Sequence, residues 1–259
     1  MIEDIIHIVK EAAVEVLKIY NTDFDVEYKD DKSPLTKADL VANRIIIDGL
    51  KNISSYPILS EEEKTIPYSV RKDWEYFWMI DPIDGTKEFV NRNGEFTINI
   101  ALIHKNRSIL GVVYAPVIDK LYYAQKDKGA YLLDQSVKIK LPSTTTNNFT
   151  VVASKSHLSQ ETKEFIDSLK QNYPNLQLVS KGSSLKLCMV AQGLANIYPR
   201  LAPTMEWDTA AAHIIVEESG KKVYQYDRFI KPLQYIKDNN LKEILYNKED
   251  LRNNYFIVI

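Results

Sequence analysis

The stretch Tyr76-Phe77-Trp78-Met79-Ile80-Asp81-Pro82-Ile83-Asp84-Gly85-Thr86-Lys87-Glu88-Phe89 governs the reading of the chain. Its first five residues form an apolar run that predicts a buried strand. The run stops at two acids, Asp81 and Asp84, set around a proline and followed at once by glycine. Pro82 biases Asp81 toward extended backbone, so the strand cannot roll directly into a helix. Gly85 permits a tight turn, and Thr86 suits the opening of a short helix. Two carboxylates at a strand exit can converge on one point, and backbone N–H groups at a helix start suit a phosphate. Hard oxygen ligands beside an anion cradle point to Mg²⁺-dependent phosphate chemistry. Asp, Pro and Gly are also ordinary turn residues. The order of the string, more than its composition, separates the two readings.

Two further acidic segments could supply oxygens. In Leu59-Ser60-Glu61-Glu62-Glu63 the acids follow a short strand; read locally, Ser60 caps a helix with acids in its first turn. In Glu206-Trp207-Asp208-Thr209-Ala210-Ala211-Ala212, Asp208 reads as the N-cap of the following helix. A cap and a metal ligand are compatible, because a carboxylate has two oxygens.

The bulk numbers bound the answer. The chain has 259 residues, enough for one large domain or two halves sharing a core. Apolar residues make up 45%, ordinary for a globular protein, and the formal charge of −2 offers no global attraction for nucleic acid or anionic membrane. The single cysteine, Cys188, excludes an intramolecular disulfide and reads as a buried thiol on a helix. The acidic start Met1-Ile2-Glu3-Asp4 is unlike a signal peptide, and no apolar run reaches transmembrane length. The chain therefore reads as cytoplasmic.

Periodicity predicts a helix over 2–20, a polar loop over 21–33, and a helix from about Thr36 to Lys51. Strands follow at Ile58-Leu59, 96–103, 109–117, 120–125 and 130–133. The polar stretch Pro142 to Asn148 is the best boundary, dividing residues 1–145 from 146–259. Beyond it, strands at 149–153, 176–179 and 194–198 alternate with helices at 160–171, 184–191 and 209–219. That order is α/β layering.

The string from Tyr76 to Thr86 resembles the first metal motif of the inositol monophosphatase superfamily of Mg²⁺-dependent, Li⁺-sensitive phosphatases. Lys87-Glu88-Phe89 and Asn93-Gly94-Glu95-Phe96-Thr97-Ile98-Asn99 look most like its 3′(2′),5′-bisphosphate nucleotidase branch. Trp207-Asp208-Thr209-Ala210-Ala211 resembles the second family signature. Matching elements in order across about 150 residues are far more specific than either motif alone. The resemblance implies a five-layer αβαβα sandwich of the α/β (α+β) class. Residues 1–145 would carry most metal ligands. Residues 146–259 would carry Asp208 and the nucleotide-binding elements.

It also implies a metal centre of two or three Mg²⁺ ions. The ligands would be Glu61 rather than Glu62, Asp81, the backbone carbonyl of Ile83, Asp84 and Asp208. Thr86 and Glu61 would orient the attacking water, with Asp39 accepting a hydrogen bond from Thr86. Read locally, Thr36-Lys37-Ala38-Asp39 makes Asp39 part of a capping box. Both readings put Asp39 at a helix start, so the sequence does not separate them. Backbone N–H groups of Gly85 and Thr86 would hold phosphate oxygens. No serine, cysteine or histidine nucleophile is needed. Phosphoryl transfer relies on positioning and charge stabilisation.

Three segments bear on substrate. Ser154-Lys155-Ser156-His157, Lys181-Gly182-Ser183-Ser184-Leu185-Lys186 and Tyr198-Pro199-Arg200 read individually as a loop, a capped helix and a surface arginine. A second substrate phosphate would need cations and N–H donors away from the metals. By resemblance, His157, Ser183, Lys186 and Arg200 contact a nucleotide bisphosphate. The implied reaction converts adenosine 3′,5′-bisphosphate to AMP and phosphate, clearing a by-product of sulfate assimilation. 3′-Phosphoadenylyl sulfate is a candidate second substrate. The resemblance further implies a monomer or homodimer and admits peripheral contact with the inner membrane. Two alternatives stand beside it: an inositol or sugar-phosphate phosphatase with the same metal centre, and a silent ion-binding scaffold. Ala212 and Lys221 stand where many relatives have glycine, and the lysine-rich stretch from Tyr224 to Lys242 is longer than the family pattern.

Overall fold

The computed structural model describes residues 1–29, 34–154, 158–238 and 240–259. In chain order the elements are α1 (Ile2–Tyr20), β1 (Val26–Tyr28), β2 (Pro34–Thr36), α2 (Lys37–Ile53), β3 (Ile58–Ser60), α3 (Tyr68–Arg71), β4 (Tyr76–Asp84), α4 (Thr86–Val90), β5 (Thr97–His104), β6 (Arg107–Ala115), β7 (Lys120–Gln125), β8 (Ala130–Asp134) and β9 (Val137–Lys140). The second part adds β10 (Thr150–Ala153), α5 (Gln160–Lys170), β11 (Gln177–Ser180), α6 (Leu185–Gln192), β12 (Tyr198–Arg200), α7 (Trp207–Glu218), β13 (Val223–Gln225), α8 (Pro232–Lys237) and β14 (Phe256–Val258).

Alternation along the strands builds the layers. Trp78 and Ile80 of β4, with Ile98 and Ile100 of β5, face the apolar stripes of α1 and α2. Phe77 and Met79, with Ala101 and Ile103, face the opposite way and pack against α6 and α7. β4 is thus covered on both sides, which explains its nearly unbroken apolar run. It lies in a seven-stranded sheet of order β3-β4-β5-β6-β7-β8-β9, in which only β3 and β4 run parallel. Behind α6 and α7 lie the β12-β14-β13 sheet and the parallel β10-β11 pair, with Val151 bridged to Ile197. Phe165, Ile166 and Leu169 of α5 and Tyr235 of α8 close the far side of these strands. The sequence of layers is helix, sheet, helix, sheet, helix: the αβαβα order expected from the resemblance.

α7 crosses the large sheet closely. A Cβ at Gly111 of β6 would stand 2.1 Å from the carbonyl oxygen of Ala211, so glycine is what admits the helix backbone there. The alanines of 210–212 do the same from the helix side. This approach sets the start of α7, and therefore Asp208, against the exit of β4.

The structure differs from the sequence expectation in several places. The polar loop over 21–33 contains β1, which pairs antiparallel with β2. The strand expected over 194–198 begins only at Tyr198, because Ile197 makes a single bridge outside any ladder. Ser60 caps no helix: its Oγ accepts the Glu62 N–H at 3.2 Å in a turn. Asp208 is not the N-cap of α7. That position belongs to Glu206, and Asp208 lies within the first turn, its Oδ2 accepting the Met205 N–H at 2.8 Å. The reason is that Trp207 is already helical, so the carboxylate reaches backward rather than forward. His157, Lys155 and Ser156 lie outside the described residues.

Candidate active site

The two acids of the central motif face the same way because β4 carries a bulge. Asp81 pairs with Asn99 and Asp84 with Thr97, three steps on β4 against two on β5. In a regular strand, positions 81 and 84 would point to opposite faces. Pro82 lacks the N–H that a ladder needs, and the extra residue is accommodated there. Both carboxylates then take the side of Thr97 and Asn99, toward α6 and α7. Gly85 follows with φ of 91°, a left-handed conformation that turns the chain into α4.

Glu61, from the turn after β3, and Asp208, from the first turn of α7, come to the same place. Glu61, Asp81 and Asp208 each present a carboxylate oxygen within 4.8 Å of the others. Asp81 is 1% exposed, and both of its oxygens are buried without a hydrogen-bond partner. Burial pushes the carboxyls of Asp81 and Asp208 well above the usual range, and the neighbouring acids push them further. An orphaned buried carboxylate among other acids is stabilised by a cation. An all-oxygen donor set suits a hard divalent ion such as Mg²⁺. The residues present therefore fit a metal centre.

Asp84 is held from the other direction. Its Oδ2 accepts the Ser184 N–H at 2.6 Å and the Ser184 hydroxyl at 2.7 Å. The Thr86 hydroxyl lies 3.3 Å from Asp39 Oδ1 and 3.2 Å from the Ile83 carbonyl. Asp39 also accepts the Thr36 N–H and hydroxyl on Oδ2, each at 2.7 Å, in a full capping box. The two readings of Asp39 are both satisfied, one by each oxygen. The ammonium of Lys29 lies between Glu61 and Glu62, at 3.0 and 2.7 Å.

Beside the acids opens a cavity of about 210 Å³ whose walls include Asp84, Gly85, Thr86, Ser183, Lys186, Arg200 and Asp208. Lys186 is only 6% exposed; its Nζ donates to the Ser183 carbonyl at 2.6 Å and sits 5.6 Å from the centre of the Tyr198 ring. Arg200 donates from Nη2 to the Pro203 carbonyl at 2.9 Å, while its buried Nε has no partner. Neither is the solvated surface charge that its residue type suggests. Ser183, at φ of 44°, occupies a left-handed conformation on the cavity wall.

The family model for the inositol monophosphatase family matches residues 1–247. The chain belongs to the inositol monophosphatase family. Among relatives, it is 41% identical over 238 residues to the 3′(2′),5′-bisphosphate nucleotidase CysQ of Escherichia coli K12, covering 91% of this chain and 94% of that protein. It is 41% identical over 229 residues to the CysQ of Salmonella typhimurium, covering 87% of this chain and 91% of the other. The crystal structure of CysQ from Bacteroides thetaiotaomicron superposes with a TM-score of 0.86 at 40% identity, covering 99% of this chain and 95% of that one. The inositol monophosphatase family is metal-dependent, in keeping with the acid cluster. No helix among the described residues is long and apolar enough to cross a membrane.

Sequence reading assigned no role to Lys29, Glu88, Asn99 or Ser184. Glu88 is half-buried on the cavity wall next to Lys186, and burial raises its carboxyl. Asn99 carried a usable signal: with Thr97 it is a polar residue at alternate positions of an otherwise apolar strand. Lys29 and Ser184 carried none, since a lysine in a polar loop and a serine before a helix are ordinary.

Proposed function

We propose that this chain is a Mg²⁺-dependent phosphomonoesterase that hydrolyses adenosine 3′,5′-bisphosphate to AMP and phosphate. The observation carrying this reading is one cavity that holds two kinds of group. Its wall carries the acids Asp84 and Asp208, of which Asp208 belongs to the cluster with Glu61 and Asp81, and also the cations Lys186 and Arg200. A monophosphate has no use for the cations, whereas a second phosphate does. Relatives 41% identical over about nine-tenths of the chain carry the name of that activity.

In this reading Glu61, Asp81, Asp84, Asp208 and the Ile83 carbonyl hold the metal, with two or three ions in all. Bound Mg²⁺ supplies an activated water and neutralises charge on the leaving oxygen. The Thr86 hydroxyl donates to Asp39 or Ile83 and so keeps a lone pair free to accept a proton of the attacking water; Glu61 orients the same water. N–H groups of Gly85 and Thr86 receive the phosphate oxygens. Ser183, Lys186, Arg200 and His157 hold the remainder of the nucleotide, and the apolar ring of Tyr198 backs Lys186. Inhibition by Li⁺ and turnover of 3′-phosphoadenylyl sulfate belong to the same reading, as do a role in sulfur metabolism and a cytoplasmic place.

The test is phosphate release from adenosine 3′,5′-bisphosphate and from inositol 1-phosphate, in Mg²⁺ and in EDTA, for wild type and Asp84→Asn. The expected result is preference for the bisphosphate, silence in EDTA, and loss in Asp84→Asn on the order of 100-fold or more with the fold intact. Full activity in EDTA would overturn the metal mechanism. Preference for inositol 1-phosphate would pass the assignment to a general phosphatase with the same centre.

A further inference from the structure

The start of β5 and the loop before α6 are zipped together residue by residue. Glu95 accepts the Gly182 N–H at 2.8 Å and the Lys181 ammonium at 2.9 Å. The Thr97 hydroxyl donates to Ser183 Oγ at 3.2 Å. Asn99 Nδ2 donates to Ser184 Oγ at 2.9 Å. Thr97 and Asn99 share one face of β5 at the strand period of two, and with Glu95 just before the strand they grip 182, 183 and 184 in turn.

The last tooth of this zip touches two metal ligands. Asn99 donates into Ser184 Oγ, so the one hydroxyl proton is left for another acceptor. Two are in reach: Asp84 Oδ2 at 2.7 Å and the backbone carbonyl of Asp208 at 2.8 Å. Ser184 and Asn99 are each 1% exposed, so water does not compete for these bonds. Asp84 ends β4 and Asp208 opens α7, 124 residues apart in sequence (208 − 84). Ser184 is the side chain that lies against both.

We infer that Ser184, oriented by Asn99, is a positioning residue for the metal centre, fixing the Asp84 carboxylate against the backbone of Asp208. The inference rests on the metal-dependent reading above. Ser184 is not itself assigned as a ligand; it acts through its contacts with two residues that are, Asp84 and Asp208. Losing the hydroxyl leaves the Ser184 N–H on Asp84 but removes the oxygen that stands 2.7 Å from Asp84 Oδ2 and 2.8 Å from the Asp208 carbonyl. Asp84 then keeps its place less well relative to the other acids, and metal affinity falls while the cations that hold substrate are untouched.

The experiment follows Tm against Mg²⁺ concentration, a readout independent of turnover, because a ligand that binds only the folded state raises Tm according to its Kd. Steady-state kinetics with adenosine 3′,5′-bisphosphate run beside it. Ser184→Ala should need on the order of tenfold more Mg²⁺ for the same rise in Tm, as loss of a partner orienting a ligand generally does. Its kcat should fall while KM stays within about twofold of wild type. Ser184→Thr keeps the hydroxyl and should recover most of the Mg²⁺ response. Asn99→Ala, which frees the hydroxyl to rotate and also removes Asn99's own 3.4 Å contact with Asp84 Oδ2, should shift the response in the same direction, and an unshifted response there overturns the inference even if Ser184→Ala does not fold. An unshifted Mg²⁺ response in the alanine variants, or equal loss in Ser184→Thr, overturns the inference and leaves the proposed function standing. A wild-type protein whose Tm ignores Mg²⁺ overturns the metal centre itself and this inference with it.

Discussion

The ammonium of Lys29 lies 3.0 Å from Glu61 Oε1, across 32 residues of sequence, and bridges on to Glu62 at 2.7 Å. A lysine here places one positive charge at the edge of an acid cluster that lies partly buried. Its own charge is held more firmly by these two partners than burial alone would allow, so its pKa is raised despite the desolvation. Lys29→Met should therefore lower stability in EDTA, by about 1–2 kcal/mol for a pair that is still partly solvated. Saturating Mg²⁺ should narrow the gap, because the metal compensates the same acids. Thermal melts of both proteins with EDTA and with Mg²⁺ check this; a difference that persists unchanged in Mg²⁺ would contradict it.

Thr86 and Asp39 meet at 3.3 Å, and Asp39 is fully buried. Thr86→Ala should lower kcat much more than it raises KM, since its hydroxyl is assigned to the attacking water. Asp39→Asn should act in the same direction, on the order of 10–100-fold. It should also cost about 1 kcal/mol of stability, because the Asp39 carboxylate completes the cap of α2. Initial-rate kinetics and denaturant melts separate the two effects; variants altered only in KM would remove Thr86 from the chemistry.

Burial pushes the Lys186 ammonium down to about 8 from an ordinary value of 10.5, with the nearby acids opposing that fall. Between these two values the unfolded chain holds a proton that the folded protein has released. This group therefore opposes folding most below pH 8, and stability rises with pH through the window up to about 10.5. Substrate binding runs the other way. As the free enzyme loses the Lys186 charge, kcat/KM for adenosine 3′,5′-bisphosphate should fall from about pH 8 upward. Adenosine 3′-monophosphate, which lacks the second phosphate, should show no such limb. Parallel pH profiles for both substrates would refute the assignment of Lys186 to that phosphate.

Lys186→Ala and Arg200→Ala should each lower kcat/KM for the bisphosphate by roughly 10- to 150-fold, the equivalent of about 1.5–3 kcal/mol for a hydrogen bond to a charged group. The monophosphate should barely respond. Equal losses on both substrates would mean that these side chains support the site without reading a second phosphate.

Much of this site was legible in the chain because its residues are bunched. Asp81, Pro82, Asp84, Gly85 and Thr86 stand within six positions, and the backbone preferences of proline and glycine dictate the bulge and turn that aim them. Asp208 was legible as an acid at a helix start, although its carboxylate reaches back to Met205 and caps nothing ahead of it. Lys186 and Arg200 were readable only through resemblance. Nothing local says that a lysine in Leu185-Lys186-Leu187 is 6% exposed beneath a tyrosine ring, because burial belongs to the packing of α6 against β12.

The sequence by itself determined the long helices and the main strands: periods of two and 3.6, the proline-glycine punctuation, and the order of acids along the chain. These are local properties, set by the steric and hydrogen-bonding preferences of a few neighbouring residues. Tertiary structure alone decided which groups share a space. Lys29, directly after β1, finds Glu61 with β1 paired antiparallel to β2. Ser184 meets Asp84 and Asp208 because Gly111 lets α7 approach the large sheet and because β5 grips the loop before α6. Such meetings depend on layers packing at fixed distances, and no window of sequence contains both partners.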